Sequence, residues 1–133
     1  MHRLLIAALL ALVLSSCKAV APEALPAAQA WLALVDSGQY ADSWTQAAPF
    51  FKEHVASAAW EAQVGGVRRP LGKVQSRTVK SQVATKKLPN APDGEYVVFI
   101  FETSFEHKPQ AIETVTPMLA PDGQWRVSGY YVQ

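Results

Sequence analysis

Apolar residues recur at helical spacing in the first half of the chain and alternate with polar ones in the second. From Ala27 to Ser37, Ala27, Trp31, Leu34 and Val35 share one side of a helix, and Gly38 follows where a left-handed residue would close it. Tyr40–Ala48 repeats the pattern with Tyr40, Ser43, Trp44 and Ala47 on one face, and Pro49 ends it while opening a third helix at its first turn. That third helix is predicted over Pro49–Val64, with Phe51, Val55, Ala58, Ala59 and Ala62 buried and Lys52, Glu53 and Glu61 facing water. Gly65-Gly66 is expected to stop it, and Pro70-Leu71-Gly72 to turn the chain.

Four extended stretches follow. Val74–Leu88 reads as a long, partly buried strand ended by Pro89, and Asn90-Ala91-Pro92-Asp93-Gly94 as a turn. Glu95–Glu106 carries the strongest strand signal, with its turn placed at His107–Gln110. Ala111–Leu119 and Gln124–Val132 complete the set across Pro121-Asp122-Gly123. Three helices before an antiparallel four-stranded meander predict an α+β domain.

The first residues change the picture of what is folded. Met1-His2-Arg3 gives a basic start, Leu4–Leu14 is an uninterrupted apolar run of eleven residues, and Ser15-Ser16 precede Cys17. A membrane-spanning helix needs roughly 20 apolar residues, so the run fits a signal peptide of residues 1–16. Leu14-Ser15-Ser16-Cys17 resembles the lipobox of bacterial lipoproteins, in which the cysteine thiol takes diacylglycerol before cleavage. Cys17 is the chain's single cysteine, and lipidation accounts for it. Residues 17–26 would then be a lipidated, proline-containing tether and 27–133 a single domain. Lys18, where lipoproteins kept in the inner membrane carry Asp, points by the same resemblance to the outer membrane, with the domain facing the periplasm.

Removing residues 1–16 from the 133 leaves 117, enough for one core without disulfides. A formal net charge of +1 carries no footprint of a nucleic-acid binder. His54 and His107 lie on separate elements and His2 in the signal peptide, with no paired Cys/His set and no HExxH, so no metal site is expected. Neither a G-x-S-x-G elbow nor a phosphate-binding glycine loop is present, and no cofactor is expected.

Several spaced motifs occur together: Trp31-Leu32-Ala33-Leu34-Val35-Asp36-Ser37-Gly38-Gln39-Tyr40, Ser43-Trp44, Arg68-Arg69-Pro70-Leu71-Gly72, Ser76-Arg77, Pro92-Asp93-Gly94-Glu95-Tyr96 and Trp125-Arg126-Val127-Ser128-Gly129-Tyr130-Tyr131. In this combination the chain resembles the bacterial family known as domain of unknown function 4019. The resemblance implies an exported setting and a cone of the NTF2-like or cystatin-like kind, helices packed on a curved antiparallel sheet. It implies no reaction.

The candidate chemistry lies on the sheet. Alternation along Glu95–Glu106 puts Val97, Phe99, Phe101, Thr103 and Phe105 on one face and Tyr96, Val98, Ile100, Glu102, Ser104 and Glu106 on the other. With the turn at His107–Gln110, Ser104 falls opposite Glu113, and a further hairpin sets Tyr131 beside Glu113. Glu102, Ser104, Glu113 and Tyr131 are thus expected to gather at one mouth of the sheet, as a ligand-binding cluster or an acidic solvated face. Arg68, Arg69 and Arg77 fall around the helix-to-sheet junction, where one could bind an anion and others pair with Asp36 or Glu95. Trp31 and Trp44 are expected in the core, Trp60 and Trp125 at its border. The reading that results is a non-catalytic envelope lipoprotein, anchored in the membrane by its lipid, that holds a small apolar ligand or an envelope protein. A small hydrolase or isomerase using Glu102, Glu113 or Tyr131 is the alternative.

Overall fold

A computed structural model describes residues 20–133, so the signal peptide expected over residues 1–16 and Cys17 lie outside the described residues. Helix α1 runs Ala24–Asp36, α2 Tyr40–Gln46, α3 Pro49–His54 and α4 Ser57–Leu71. Strands β1 (Val74–Thr85), β2 (Tyr96–Phe105), β3 (Lys108–Leu119) and β4 (Trp125–Val132) then form one antiparallel sheet in sequential order. The α+β architecture predicted from the periodicity is the one observed.

Helix α1 starts earlier than the apolar pattern suggests. Ala24 and Ala28 are fully buried, and Val20, Ala21 and Leu25 pack on the core, so the chain is already folded in what reads as tether. The far end closes as expected, with Gly38 at φ 74° and the amides of Gly38 and Gln39 bonded back to Val35 and Leu34.

The predicted third helix is two helices. Val55 and Ala56 take extended conformations between α3 and α4, and the Val55 carbonyl accepts the indole N–H of Trp44 at 2.7 Å. This interruption resets the helical phase, so Ala58, Ala59 and Ala62 face solvent while Trp60, Val64 and Arg68 turn inward. Gly65-Gly66 does not stop α4, which continues to Leu71 with Pro70 in its last turn. Two glycines cost a helix about 2 kcal/mol in propensity, and burial of Trp60 and Val64 on both the core and α2 outweighs it.

The helices cover one face of the sheet. Val97, Phe99, Phe101, Thr103 and Phe105 of β2 are buried there, as the alternation predicted. Trp31, Leu32, Val35 and Trp60 pack on Phe99, Phe101, Val115 and Val127 in the main core. A smaller cluster of Ala48, Tyr96 and Met118 closes one end, where the Ala48 amide bonds the Val127 carbonyl on the edge of β4. Register shifts at Val74/Ser76 and Val79/Ser81 in β1, and further ones along β2–β3 and β3–β4, mark bulges that bend the strands.

Candidate functional site

Glu113 is the most deeply buried charged side chain of the sheet, with no exposed surface. It sits on the helix-facing side of β3, opposite Phe101. Its carboxylate accepts hydrogen bonds from Arg77 Nε at 2.7 Å, from Thr103 Oγ1 and from the hydroxyl of Tyr130. The rest of the Arg77 guanidinium clamps Asp36, with Nη1 2.7 Å from Oδ2 and Nη2 2.9 Å from Oδ1. Arg68 reaches Asp36 Oδ1 at 2.8 Å and the Tyr130 hydroxyl at 3.3 Å, and its guanidinium lies over the ring of Phe105. Among the described residues, Arg68 Nε finds no hydrogen-bond partner. Two arginines and two carboxylates, with Thr103 and Tyr130, therefore form one charge-balanced network joining α1, α4 and all four strands.

Local structure explains the composition of this network. Asp36 is the last residue of α1, where a helix end already carries partial negative charge and a carboxylate is unfavourable unless cations answer it. Burial by itself would raise its pKa, but the hydrogen bonds and charges of Arg77 and Arg68 outweigh burial and hold it below the ordinary carboxylate range. For Arg77, burial works against the charge and the bonds to Asp36 and Glu113 more than compensate, leaving the guanidinium firmly protonated. Burial, then the charge of Glu113, pushes the Tyr130 phenol far upward, so Tyr130 is a neutral donor. Its ring packs edge-on against Trp31 at 5.3 Å and Trp60 at 6.5 Å.

The expected gathering of Glu102, Ser104, Glu113 and Tyr131 does not occur. The β2–β3 turn is the two-residue Glu106-His107, with Phe105 paired to Lys108, and a bulge between Phe105 and Thr103 then moves the register by one, so Glu113 pairs with Phe101 instead of lying opposite Ser104. An odd shift in register exchanges the faces of a strand, which sends Glu113 inward while Ser104 and Glu102 stay outside. A separate shift between Thr116 and Pro117 pairs Tyr130 with Val115 on the inner face and Tyr131 with Thr114 on the outer one, 61% exposed. Thr103 and Tyr130 are the members of the network that the sequence reading left out, because two bulges bring them to Glu113, and Pro117 beside the second is the sequence signal for it. Arg68 and Arg77 do pair with Asp36, as anticipated, and Arg69 instead lies over the ring of Tyr40.

Glu102 and Ser104 do share a surface. With Ser76, Thr78, Gln110 and Ile112 they line an open groove of about 560 Å³ on the outer face of the sheet. Glu102 pairs there with exposed Lys80 at 3.4 Å. Trp31 is core as predicted, its indole N–H on the Ser43 carbonyl at 2.8 Å. Trp60 is also core, not border, and donates to Ser43 Oγ at 2.9 Å. Trp44 and Trp125 are half-buried against the same cluster.

Among the described residues no three His, Cys, Asp or Glu side chains gather as metal ligands, and no helix is long and apolar enough to cross a membrane. No curated protein and no solved structure matches the chain. A family model does, over residues 27–130, from within α1 to Tyr130 beside Glu113. The matched span contains the whole inner network and all but the end of the sheet, and the chain belongs to the family described as protein of unknown function DUF4019.

Proposed function

We propose that the protein is a binding module of the bacterial cell envelope, anchored by a lipid on Cys17 to the periplasmic side of the outer membrane, and that it meets an envelope protein or ligand through the outer face of its sheet. The basic start, short apolar run and Leu14-Ser15-Ser16-Cys17 support the anchor. The observation that carries the binding role is the state of Glu113. A general acid or base must reach a substrate proton, and this carboxylate has no exposed surface and already accepts from Arg77, Thr103 and Tyr130.

Helices ahead of a bulge-bent antiparallel sheet suit the cone of NTF2-like and cystatin-like domains, whose interior can hold a ligand. In this chain Trp31, Trp60, Phe99 and Phe101 occupy that interior, which moves the contact surface outside. The acid–base alternative calls for Glu102, Glu113 or Tyr131 in an enclosed cavity, and they lie on an open groove, in the packed core and on the exposed end of β4. The outer groove offers Ser76, Thr78, Ser104 and Gln110 as hydrogen-bonding groups beside the apolar Ile112, a mixture suited to a polar partner surface.

Native mass spectrometry of the lipoprotein released from its own envelope tests the proposal. The wild type is expected to carry a bound mass that disappears in the exposed double variant Glu102→Lys/Ser104→Arg. A bare wild-type chain, or a bound mass that the double variant retains, would overturn it.

A further inference from the structure

The chain enters the fold beside an apolar cleft. Val20 and Ala21 pack on the core, and Ala21 forms part of the wall of a cleft of about 310 Å³ together with Ala84, Tyr96, Val97 and Trp125. Thr85, Lys86 and Glu95 stand around it, the last two exposed. Tyr96 and Val97 are almost wholly buried and Trp125 half-buried, so the cleft opens directly onto core side chains. An apolar slot of this size is large enough for a small ligand.

The position of the cleft along the chain decides what can occupy it. Three residues separate Cys17 from Ala21. Four Cα-to-Cα steps extend at most about 14 Å, so whatever is bonded to the Cys17 thiol begins within that reach of the cleft. Among the described residues, a neighbouring cleft shares Trp125 but is walled by α1 from Ala27 to Leu34 and by Gln46 and Arg126, another lies between α4 and the end of β4, and another at the far end of α1 around Gly38 and Arg69.

We infer that the cleft beside Ala21 seats one acyl chain of the lipid carried by Cys17. The inference rests on the anchor proposed above and adds a site to it. The chain leaves the bilayer and lies along Ala84, Val97 and Trp125, while the remaining acyl chains hold the protein in the membrane. The slot is apolar like the lipid tails the chain leaves, so its methylenes stay out of water in both places, and the short connection supplies the chain at high effective concentration. The domain then stands with its Lys86 and Trp125 end at the lipid surface and the polar groove around Glu102 and Gln110 at the other end of β2.

The test uses the full-length lipoprotein in its own membrane, labelled by growth on a sixteen-carbon fatty acid bearing a diazirine. After illumination, the Cys17 peptide is expected to be joined through its acyl chain to peptides containing Ala84, Val97 or Trp125 of the same molecule. The join is expected to fall at least tenfold in Ala84→Phe, which fills the slot. Ala21→Phe serves the same purpose should Ala84→Phe fail to accumulate. A labelled Cys17 peptide with no join to these segments would overturn the assignment. So would slot peptides carrying phospholipid adducts in place of the anchor, which would make the cleft a site for bilayer lipid. A Cys17 peptide with no acyl group overturns the anchor itself, an outcome distinct from both.

Discussion

Arg77 on β1 reaches across β2 to bond Glu113 on β3, its Nε 2.7 Å from Oε1, and so ties an edge strand to the sheet's buried interior. The span is possible because both residues point to the helix-covered side: Arg77 pairs with Thr103, and Glu113 with Phe101. Glu113 has no exposed surface and Arg77 is only 15% exposed. Desolvating such a pair is costly, and its geometry and remaining bonds must offset the cost. With Thr103 and Tyr130 also donating to Glu113, and Asp36 taking the other side of Arg77, the demand is met.

Removing the pair should therefore cost less than the two single removals added together. Glu113→Leu leaves Arg77 and Arg68 with a single carboxylate between them, and is expected to destabilise the fold by about 3–5 kcal/mol, the range for stripping one partner from a buried ion pair. Arg77→Met combined with Glu113→Leu is expected to lose clearly less than the sum of the single losses, because the double variant strands no charge at this contact. Urea melts of the three variants measure this, and strictly additive losses would refute the coupling.

The pH profile of stability follows from the same network. Asp36 has its folded pKa depressed, so its contribution is present above the unfolded carboxylate value near 4 and is lost as pH falls through the lower folded value. Tyr130 has the opposite sign of consequence. Its folded pKa is raised, by burial and then by Glu113, so above about pH 10 the unfolded chain releases a proton that the folded one keeps, and stability falls. Tyr96 shares the upward shift through burial and then Asp93. Chemical denaturation from pH 2 to 11 should give a plateau with both limbs falling; Asp36→Asn should flatten the acid limb, and Tyr130→Phe should shrink the alkaline one without abolishing it.

Much of this was legible in the sequence, and what was not has a common cause. The alternation of β2 named the buried face correctly because a strand's period is fixed at two, and Gly38 marked the end of α1 because the required φ is positive. The site failed on bulges. Meeting through Glu106-His107 instead of His107–Gln110 shifts the register by an even number and keeps the faces, whereas the one-residue bulge between Thr103 and Phe105 reverses them and turns Glu113 inward. Glu102 and Ser104 kept their predicted face because they lie on β2 itself, whereas Glu113 and Tyr131 depended on successive registers. Asp36 was found as a partner for the arginines, since a carboxylate ending a helix invites cations. The break at Val55 and Ala56 was hidden because neither Gly nor Pro marks it, and the Trp44 indole that holds it comes from another helix.

Ser43 is a second polar residue that the core depends on. It is fully buried on α2, donates to the Tyr40 carbonyl at 2.7 Å and accepts the Trp60 indole N–H at 2.9 Å. Ser43→Ala leaves that N–H without its acceptor in a buried setting. The expected loss is about 1–3 kcal/mol, read from thermal or urea unfolding and accompanied by a change in tryptophan emission. Ser43→Thr keeps the hydroxyl, and the emission should stay closer to wild type. An unchanged melting curve for Ser43→Ala would mean that the bond carries no net stabilisation.

The glycine pair of α4 gives a prediction in the opposite direction. A glycine inside a helix is unfavourable relative to alanine by about 0.5–1 kcal/mol, through the backbone freedom it retains in the unfolded chain. Gly66 is exposed in the interior of α4, takes no positive φ, and a methyl group built on it meets nothing within 4 Å. Gly66→Ala should therefore stabilise the protein by up to about 1 kcal/mol. Gly65 has the same backbone but a different neighbourhood: its added Cβ would fall 2.5 Å from Nη1 of Arg69. That guanidinium is the far end of a flexible side chain lying over Tyr40, so Gly65→Ala displaces it and gives up part of the propensity gain. The gain should be larger for Gly66→Ala than for Gly65→Ala when both are measured by denaturant midpoint at constant slope. A loss of stability from Gly66→Ala would show that the chain does not hold a continuous helix through this position, returning the pair to the helix stop that the sequence alone suggests.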